Sequence, residues 1–337
     1  MTPWIRELNG IDQPPLLDVR GLSTRFPSDR GMVRAVEDVS FCIRPGEAVG
    51  LVGESGSGKS TVLRSLLGLI NPPGRIVSGE VIFRDRDLRK LGEDDVRRVR
   101  GGQIGLIFQD PVNAFNPSLT IGDQLRRILR LHRPGLPAGG YDGELRRMLA
   151  RVGVDTAGGS KLNQYAFNFS QGQLQRIMIA AACLGGEPSL VLADEPTTSL
   201  DVTIEAQVLE LLRDLRRELG LALILVTHNL ALVAELCDRV LVMYAGRLVE
   251  DADVYSMFET PKHPYTRQLL RSLPRFPASG ARLESMRGNV PDLTGLPPGC
   301  SFALRCEQYI GAICDTVCPS LVPTSTADQR AACHLYA

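Results

Sequence analysis

The chain alternates short apolar runs with longer segments whose apolar residues recur every three or four positions, and these two periods separate strands from helices. Residues 47–52, 79–84, 190–193 and 223–226 are short and rich in strand formers. Residues 61–67, 125–131 and 145–152 carry apolar side chains at helical spacing. Ile204, Val208, Leu211, Leu212, Leu215 and Leu219 fall on one face of a further helix, and the pattern predicts that they pack in a core. Strand and helix character dominates 16–108 and returns over 187–260. Between them, 109–186 is mostly helical, with a Pro/Gly-rich bend at 134–140, and 261–337 forms a distinct extension. The pattern is that of an α/β protein.

Between the apolar run 47–52 and the helix 61–67 stand Gly53, Glu54, Ser55, Gly56, Ser57, Gly58, Lys59, Ser60 and Thr61, which satisfy the phosphate-loop pattern G-x-x-x-x-G-K-[ST]. Glycines let successive N–H groups turn toward phosphate oxygens, and the following helix directs the positive end of its dipole at the same place. Lys59 is then expected to reach the β- and γ-phosphates while the Ser60 hydroxyl ligates Mg²⁺. A Gly-Ser turn matching by chance lacks the flanking strand and helix, so the pattern implies binding of a nucleoside triphosphate.

The apolar run 190–193 ends in two adjacent carboxylates, Asp194 and Glu195. Continuous apolar strands belong to parallel sheets covered on both faces, and ligands collect at their carboxyl ends. Alone, the pair reads equally well as a strand-end turn; with a phosphate loop upstream it places Asp194 in the Mg²⁺ shell and Glu195 beside the attacking water. Upstream of this pair, Ser170 precedes the apolar run 177–182 as a good helix N-cap, and the exposed N–H groups of such a helix start form an anion site.

Hydrophobic residues make up 44% of the 337, enough for a large core, while 38 basic and 38 acidic residues cancel. No net field favours nucleic acid or an anionic membrane. Arginine clusters such as Arg97-Arg98 and Arg216-Arg217 read as solvated helix faces. The longest apolar stretches, such as 221–226, fall well short of the ~20 residues that cross a bilayer. The start of the chain, with Trp4, Arg6, Glu7 and Asp12, lacks the apolar centre of a signal peptide.

Five of the eight cysteines, Cys300, Cys306, Cys314, Cys318 and Cys333, cluster near the end of the chain. Cys42, Cys183 and Cys237 are isolated in apolar surroundings and read as small buried hydrophobes. A nucleotide enzyme in a reducing compartment makes disulfides the poorer reading of the cluster, leaving zinc, an iron–sulfur cluster or no metal. The spacing matches neither paired C-x-x-C zinc knuckles nor a ferredoxin run, although Cys314-x-x-x-Cys318-Pro319 is like the end of one.

Ser170-Gln171-Gly172-Gln173 resembles the signature segment of ATP-binding-cassette (ABC) ATPases, usually L-S-G-G-Q, with Phe169 for leucine and Gln171 for the first glycine. The other elements of that family follow in order. Gln109 matches the glutamine loop, Ser199 and Asp201 the loop that crosses the dimer interface, and His228 the switch histidine at the γ-phosphate. Phe26 matches the aromatic that stacks on adenine, a position equally compatible with core packing. The extended glutamine loop, 109–117, and the segment 260–270 (Thr-Pro-Lys-His-Pro-Tyr-Thr-Arg-Gln-Leu-Leu) resemble the oligopeptide, dipeptide and nickel importer branch. Spacing alone makes that second segment a structural linker, with Tyr265 and Leu269 packing on one helix face.

The resemblance implies a P-loop NTPase core with an inserted helical subdomain and a small Cys-rich extension. It implies catalytic roles for Glu195, His228 and Gln109; phosphate and nucleotide contacts from Phe26 and 53–61; Mg²⁺ contacts from Ser60, Gln109 and Asp194; and contacts from Ser170, Gly172 and Gln173 to ATP held by a partner subunit. Some dipeptide-type members of the branch carry a 4Fe–4S cluster on a motif similar to Gly299-Cys300, Arg305-Cys306, Cys314 and Ala332-Cys333-His334-Leu335, which makes Cys318 a spare. The implied assembly pairs the chain with a homologous ATPase, as a heterodimer or homodimer. Two membrane permeases and, indirectly, an extracellular substrate-binding protein complete it, at the cytoplasmic face of the membrane and with no nucleic-acid partner. Two rival readings stand beside this one. A soluble cassette ATPase acting on DNA or ribosomes is disfavoured by the neutral charge and the importer-type tail. A non-hydrolysing partner subunit is disfavoured by intact Glu195 and His228, while Gln171 favours asymmetry between two sites.

Overall fold

The computed structural model describes residues 14–137, 139–154, 161–186, 188–198, 200–272, 288–324 and 329–336. Ser199 and the start of the chain around Trp4, Arg6, Glu7 and Asp12 lie outside these residues. The chain forms two compact units, one from 1–44, 49–89 and 228–337 and the other from 45–48 and 90–227.

In the first unit an antiparallel sheet runs in the order Gly31–Ile43, Leu17–Ser28, Arg75–Phe83 and Arg86–Asp87. Leu17 lies opposite both Ile43 and Phe83, so three apolar side chains meet at one level and all are buried. A second set of strands runs Val322–Pro323, Gln329–Ala331, Arg247–Asp253, Arg239–Tyr244 and Ala48–Val52. The last two are parallel, with Val52 opposite Val242, and Val49–Val52 is buried throughout, as a strand covered on both faces must be. Gly50 is required there: a Cβ would lie 2.7 Å from Val233 Cγ1, on the helix Leu230–Leu236 that crosses it.

The strands from the end of the chain are locked in by a buried ion network. Arg239 donates from Nε and Nη2 to the Asp251 carboxylate at 2.6 and 2.8 Å, and Arg330 donates to the same carboxylate. Burial pushes the Asp251 carboxyl up, but the two guanidinium groups outweigh it and hold it below its ordinary value. Glu250, also buried, accepts from Lys262 N, His263 N and Gln329 Nε2, so the charge is matched by fixed donors.

In the second unit Ile104–Ile107, Leu190–Asp194 and Ala222–Val226 form a parallel set with Leu190–Asp194 central; Ala193 pairs with Ile107 and Leu225, and Asp194 with Val226. The helix Gln171–Leu184 buries most of its length after Gln173 and comes close enough that a Cβ on Gly105 would lie 2.4 Å from Ala182 O. Helices Ile121–His132 and Gly140–Arg151 bury Leu125, Leu129, Leu145 and Leu149, matching the helical periods in the sequence. Along Val202–Leu219, Val208, Leu211, Leu212 and Leu215 are buried as the pattern predicts, together with Leu209, while Ile204 and Leu219 at the ends are half-buried. Arg216 departs from the solvated-face reading. Its Nε and Nη2 donate to Gly46 O at 3.0 and 2.8 Å, using a planar fork to satisfy a turn carbonyl. Arg97 and Arg98 are exposed as expected. Cys42, Cys183 and Cys237 are buried, and burial pushes the Cys183 thiol up to about 12.

Candidate nucleotide-binding site

The phosphate loop lies between the strand Ala48–Val52 and the helix Lys59–Leu66. Gly53, Gly56 and Gly58 have φ of 152°, 78° and 104°, values that disfavour any residue with a Cβ. Space is equally restrictive: a Cβ would lie 2.2 Å from Met243 O at Gly53 and 2.1 Å from Ala35 O at Gly58. Gly58 is the helix N-cap without a side-chain cap, so the first-turn N–H groups have no capping side chain. Lys59 is buried and donates from Nζ to Gly53 O and Glu54 O, each at 2.9 Å, and to Ser57 Oγ at 3.4 Å. The ammonium is thus held against the carbonyls of its own loop. Ser60 and Thr61 are half-buried in the first helical turn, while Ser55 is exposed at the tip and Ser57 buried beneath it.

Phe26, in the same unit, is half-buried, and its ring packs on Gly74, where a Cβ would lie 2.3 Å from Phe26 Cε1. His228, exposed, directly precedes Asn229, whose side chain caps the helix Leu230–Leu236 by accepting from Ala231 N.

In the second unit the two carboxylates at the end of Leu190–Asp194 differ in environment. Asp194 is buried, whereas Glu195 is half-buried, with φ 47° and its N–H donating to Val226 O at 2.9 Å. That left-handed backbone is costly for glutamate and turns its side chain out of the strand direction. Glu195 Oε2 accepts from Thr198 Oγ1 at 2.8 Å and from Gln109 Nε2 at 3.3 Å. Two residues assigned separately from sequence, Gln109 and Glu195, are therefore in contact. A carboxylate held by two neutral donors has a fixed orientation, the arrangement suited to polarising water.

Ser170 caps Gln171–Leu184 as predicted. Its Oγ accepts from Gln173 N at 3.3 Å, and Gln173 Oε1 accepts from Ser170 N at 3.1 Å, closing a capping box. Gly172 leaves room for Ile204, whose Cγ2 would lie 2.9 Å from a Cβ. Gln171 is exposed. Asp201 likewise caps Val202–Leu219 by accepting from Ile204 N at 2.9 Å.

At the end of the first unit Cys300, Cys306, Cys314 and Cys333 line one small pocket with His263 and Phe302, and Cys300 N donates to Cys314 O at 2.8 Å. Cys318 lines a neighbouring pocket, which it shares with Cys300 and Phe302. Burial, then the charges of Cys333, Cys306 and Cys314, push the Cys300 thiol up to about 11. Cys306 and Cys333 are raised by burial and by one another's neighbours in the same set. Several thiolates gathered in a half-buried pocket are costly unless a cationic centre neutralises them, and a thiolate-bound metal centre would supply that neutralisation. Among the described residues no three His, Cys, Asp or Glu side chains converge on a point as ligands of a single ion.

The linker reading of 260–270 needs correction. The helix Pro264–Arg271 buries Tyr265 completely, Leu270 is more buried than Leu269, and Tyr265 Oη accepts from Glu54 N at 2.8 Å, in the phosphate loop itself. Sequence reading passed over Tyr244 and took Arg305 only as the neighbour of Cys306; they contact that loop or each other. An arginine adjacent to a cysteine carries no signal in one dimension.

A model of the ABC transporter family matches residues 36–198, and one of the oligopeptide/dipeptide transporter C-terminal region matches 249–314. The dipeptide transport ATP-binding protein DppD of Bacillus subtilis (strain 168) is 44% identical over 305 residues, covering 90% of each chain. A putative peptide import ATP-binding protein of Brucella abortus (strain 2308) is 43% identical over 319 residues, 95% of this chain and 94% of its own. The dimeric post-hydrolysis structure of the ATP-binding cassette MJ0796 bound to ADP and Pi superposes with a TM-score of 0.63 at 25% identity, covering 71% of this chain and 98% of that one. CbiO1 from Clostridium perfringens, part of the ABC transporter complex cbiONQ, gives 0.62 at 26% identity over 74% of this chain and 93% of its own. With this cassette fold, its intact phosphate loop and its matched C-terminal region, the chain belongs to the ABC transporter family of ATP-binding proteins, in the oligopeptide/dipeptide branch.

Proposed function

We propose that the chain is the ATP-hydrolysing subunit of an importer for peptides or related solutes, acting at the cytoplasmic face of the membrane. The observation that carries this reading is the Glu195 carboxylate, oriented by Gln109 and Thr198 in a chain whose phosphate loop is intact. Lys59 and the 53–61 backbone bind the triphosphate. Ser60, Gln109 and Asp194 supply hard oxygen donors suited to Mg²⁺, which neutralises charge on the phosphates when bound. Glu195 orients water for attack on the γ-phosphorus as the β–γ bridging P–O bond breaks, giving ADP and phosphate, and His228 contacts the γ-phosphate. Ser170, Gly172 and Gln173 serve the nucleotide of a homologous partner subunit, with the Ser199–Asp201 region at the interface.

No helix among the described residues is long and apolar enough to cross a membrane, so permeation is assigned to two separate permease subunits fed by an extracellular binding protein. Their docking place is the 109–117 region within the helical insert. Phe108 and Val112 are exposed beside Gln109, and Asp110 fixes the short helix Pro111–Ala114 by accepting from Val112 and Asn113. Cys300, Cys306, Cys314 and Cys333 would hold a 4Fe–4S cluster, which supplies a cross-link between distant parts of the tail. Support comes from the one pocket that these four line, in which Cys318 has no part, although Cys318 shares a second pocket with Cys300.

Co-purification with tagged permeases, followed by ATP turnover with and without the substrate-loaded binding protein, tests the function. Turnover stimulated by that protein supports it. Turnover stimulated by DNA or ribosomes, without permease association, overturns it.

A further inference from the structure

Glu54, the second residue of the phosphate loop, has every polar group engaged. Its N–H donates to Tyr265 Oη at 2.8 Å, and its carbonyl accepts from Lys59 Nζ at 2.9 Å and Ser57 N at 3.2 Å. Its carboxylate forms a two-point pair with Arg305: Nη1 to Oε2 at 2.8 Å and Nη2 to Oε1 at 2.9 Å. The Arg305 side chain is only 6% exposed, so the pair is shielded and geometrically fixed in a way that surface ion pairs are not. Arg305 also donates to Tyr244 Oη at 3.1 Å, and its guanidinium carbon lies 5.7 Å from the Tyr244 ring and 5.9 Å from the Phe302 ring. Tyr244, Tyr265 and Phe302 pack mutually with centroids 4.7 to 5.4 Å apart and are essentially inaccessible, forming a rigid wall behind the pair.

Arg305 is itself held by the cysteine turn. Ala303 N donates to Cys300 O at 3.0 Å and Cys306 N to Ala303 O at 3.2 Å, and Gln268 Nε2 donates to Arg305 O at 3.3 Å. The guanidinium that fixes Glu54 thus projects from the turn joining Cys300 to Cys306.

We infer that Arg305 is a positioning residue for nucleotide binding, which holds Glu54 so that its carbonyl places Lys59, and which makes the Cys300–Cys306 turn part of the support of the phosphate loop. The inference rests on the reading of 53–61 as the nucleotide site. It gives the extension a role beyond its own folding: whatever stabilises the turn raises affinity for the triphosphate, and by linkage a bound triphosphate stabilises the turn.

The test uses the full-length protein, with ATP affinity measured by displacement of a fluorescent ATP analogue. Arg305→Gln and Glu54→Gln are each expected to weaken ATP binding about tenfold, within the usual range for coupled sites. The double variant should be no weaker than either single one, because both remove the same pair. Arg305→Lys should recover part of the loss, and iron and sulfide content should match the native protein in Glu54→Gln, which leaves the cysteine turn untouched. Hydrogen exchange at residues 53–58 should accelerate in Glu54→Gln, a readout that survives if Arg305→Gln folds poorly. Native ATP affinity in both single variants, or strictly additive losses, would overturn the inference. Lys59→Ala separates the two readings. If it loses ATP affinity while Arg305→Gln does not, only the positioning role fails; if it too binds normally, the nucleotide site itself is wrong.

Discussion

Replacing Glu195 with glutamine changes one atom's chemistry and almost nothing of its shape, and the surroundings of this residue allow the consequences to be separated. The backbone is unaffected: φ stays at 47° and the N–H still reaches Val226 O. The hydrogen bonds from Thr198 Oγ1 at 2.8 Å and Gln109 Nε2 at 3.3 Å change from charge-assisted to neutral, a loss on the order of 1 kcal/mol each. For the two bonds together that is about 2 kcal/mol, which in a chain longer than the ~150–250 residues that shift about 2–4 °C per kcal/mol lowers the melting temperature by only a few degrees. The loss in the transition state is larger, because an amide cannot polarise water; removing one preorganised group commonly costs about 3–4 kcal/mol, or about 10²–10³ in rate. The assembled complex carrying Glu195→Gln should therefore bind ATP normally, melt close to the native temperature and release phosphate at under about 1% of the native rate. Thr198→Ala, which leaves the charge and removes one orienting donor, should cost only about tenfold. Turnover by Glu195→Gln within a few-fold of native refutes the role of the carboxylate, and so does equal loss of ATP binding, which would make Glu195 a ground-state contact.

Lys59→Ala removes a charge that meets phosphates already in the ground state, so ATP affinity should fall, as calorimetric titration can measure. Gln171→Gly should change the hydrolysis rate of the complex only modestly, since Ser170, Gly172 and the helix start remain; a rise of several orders of magnitude would show that the native signature is crippled. Asp251→Asn removes the counter-charge shared by Arg239 and Arg330 and should destabilise the protein by about 3–5 kcal/mol in denaturant titrations. Because the folded-state carboxyl lies below the unfolded value, Asp251's contribution is full above an unfolded pKa of 3.8 and is lost as pH falls through the folded one. The native-minus-variant stability difference should therefore shrink only in that acid range. Serine at Cys300, Cys306, Cys314 or Cys333 should abolish iron, sulfide and broad visible absorbance in anaerobically purified protein, whereas Cys318→Ser should keep all three; the opposite result for Cys318 and Cys333 would reassign the ligands.

What the sequence determined by itself was whatever rests on local periodicity and local backbone chemistry. The strand, glycine loop and helix at 48–66 could be read because their φ requirements and dipole act between neighbours, and Ser170 was legible as a cap because a capping box closes within four residues. The inward face of Val202–Leu219 followed from helical spacing, and the half-burial of Ile204 and Leu219 at its ends did not, because burial at a helix end depends on what lies opposite. Tertiary structure alone decided the contacts between residues far apart in the chain. Arg216 looked like one more solvated arginine until a turn carbonyl 170 residues away needed its donors. Tyr265 looked like linker packing and Arg305 like a cysteine's neighbour, yet they hold Glu54 from 211 and 251 residues away. No pattern of spacing encodes such pairs. A hydrogen bond depends on where two atoms meet in space, and only the packing of the aromatic wall and the cysteine turn brings these atoms together.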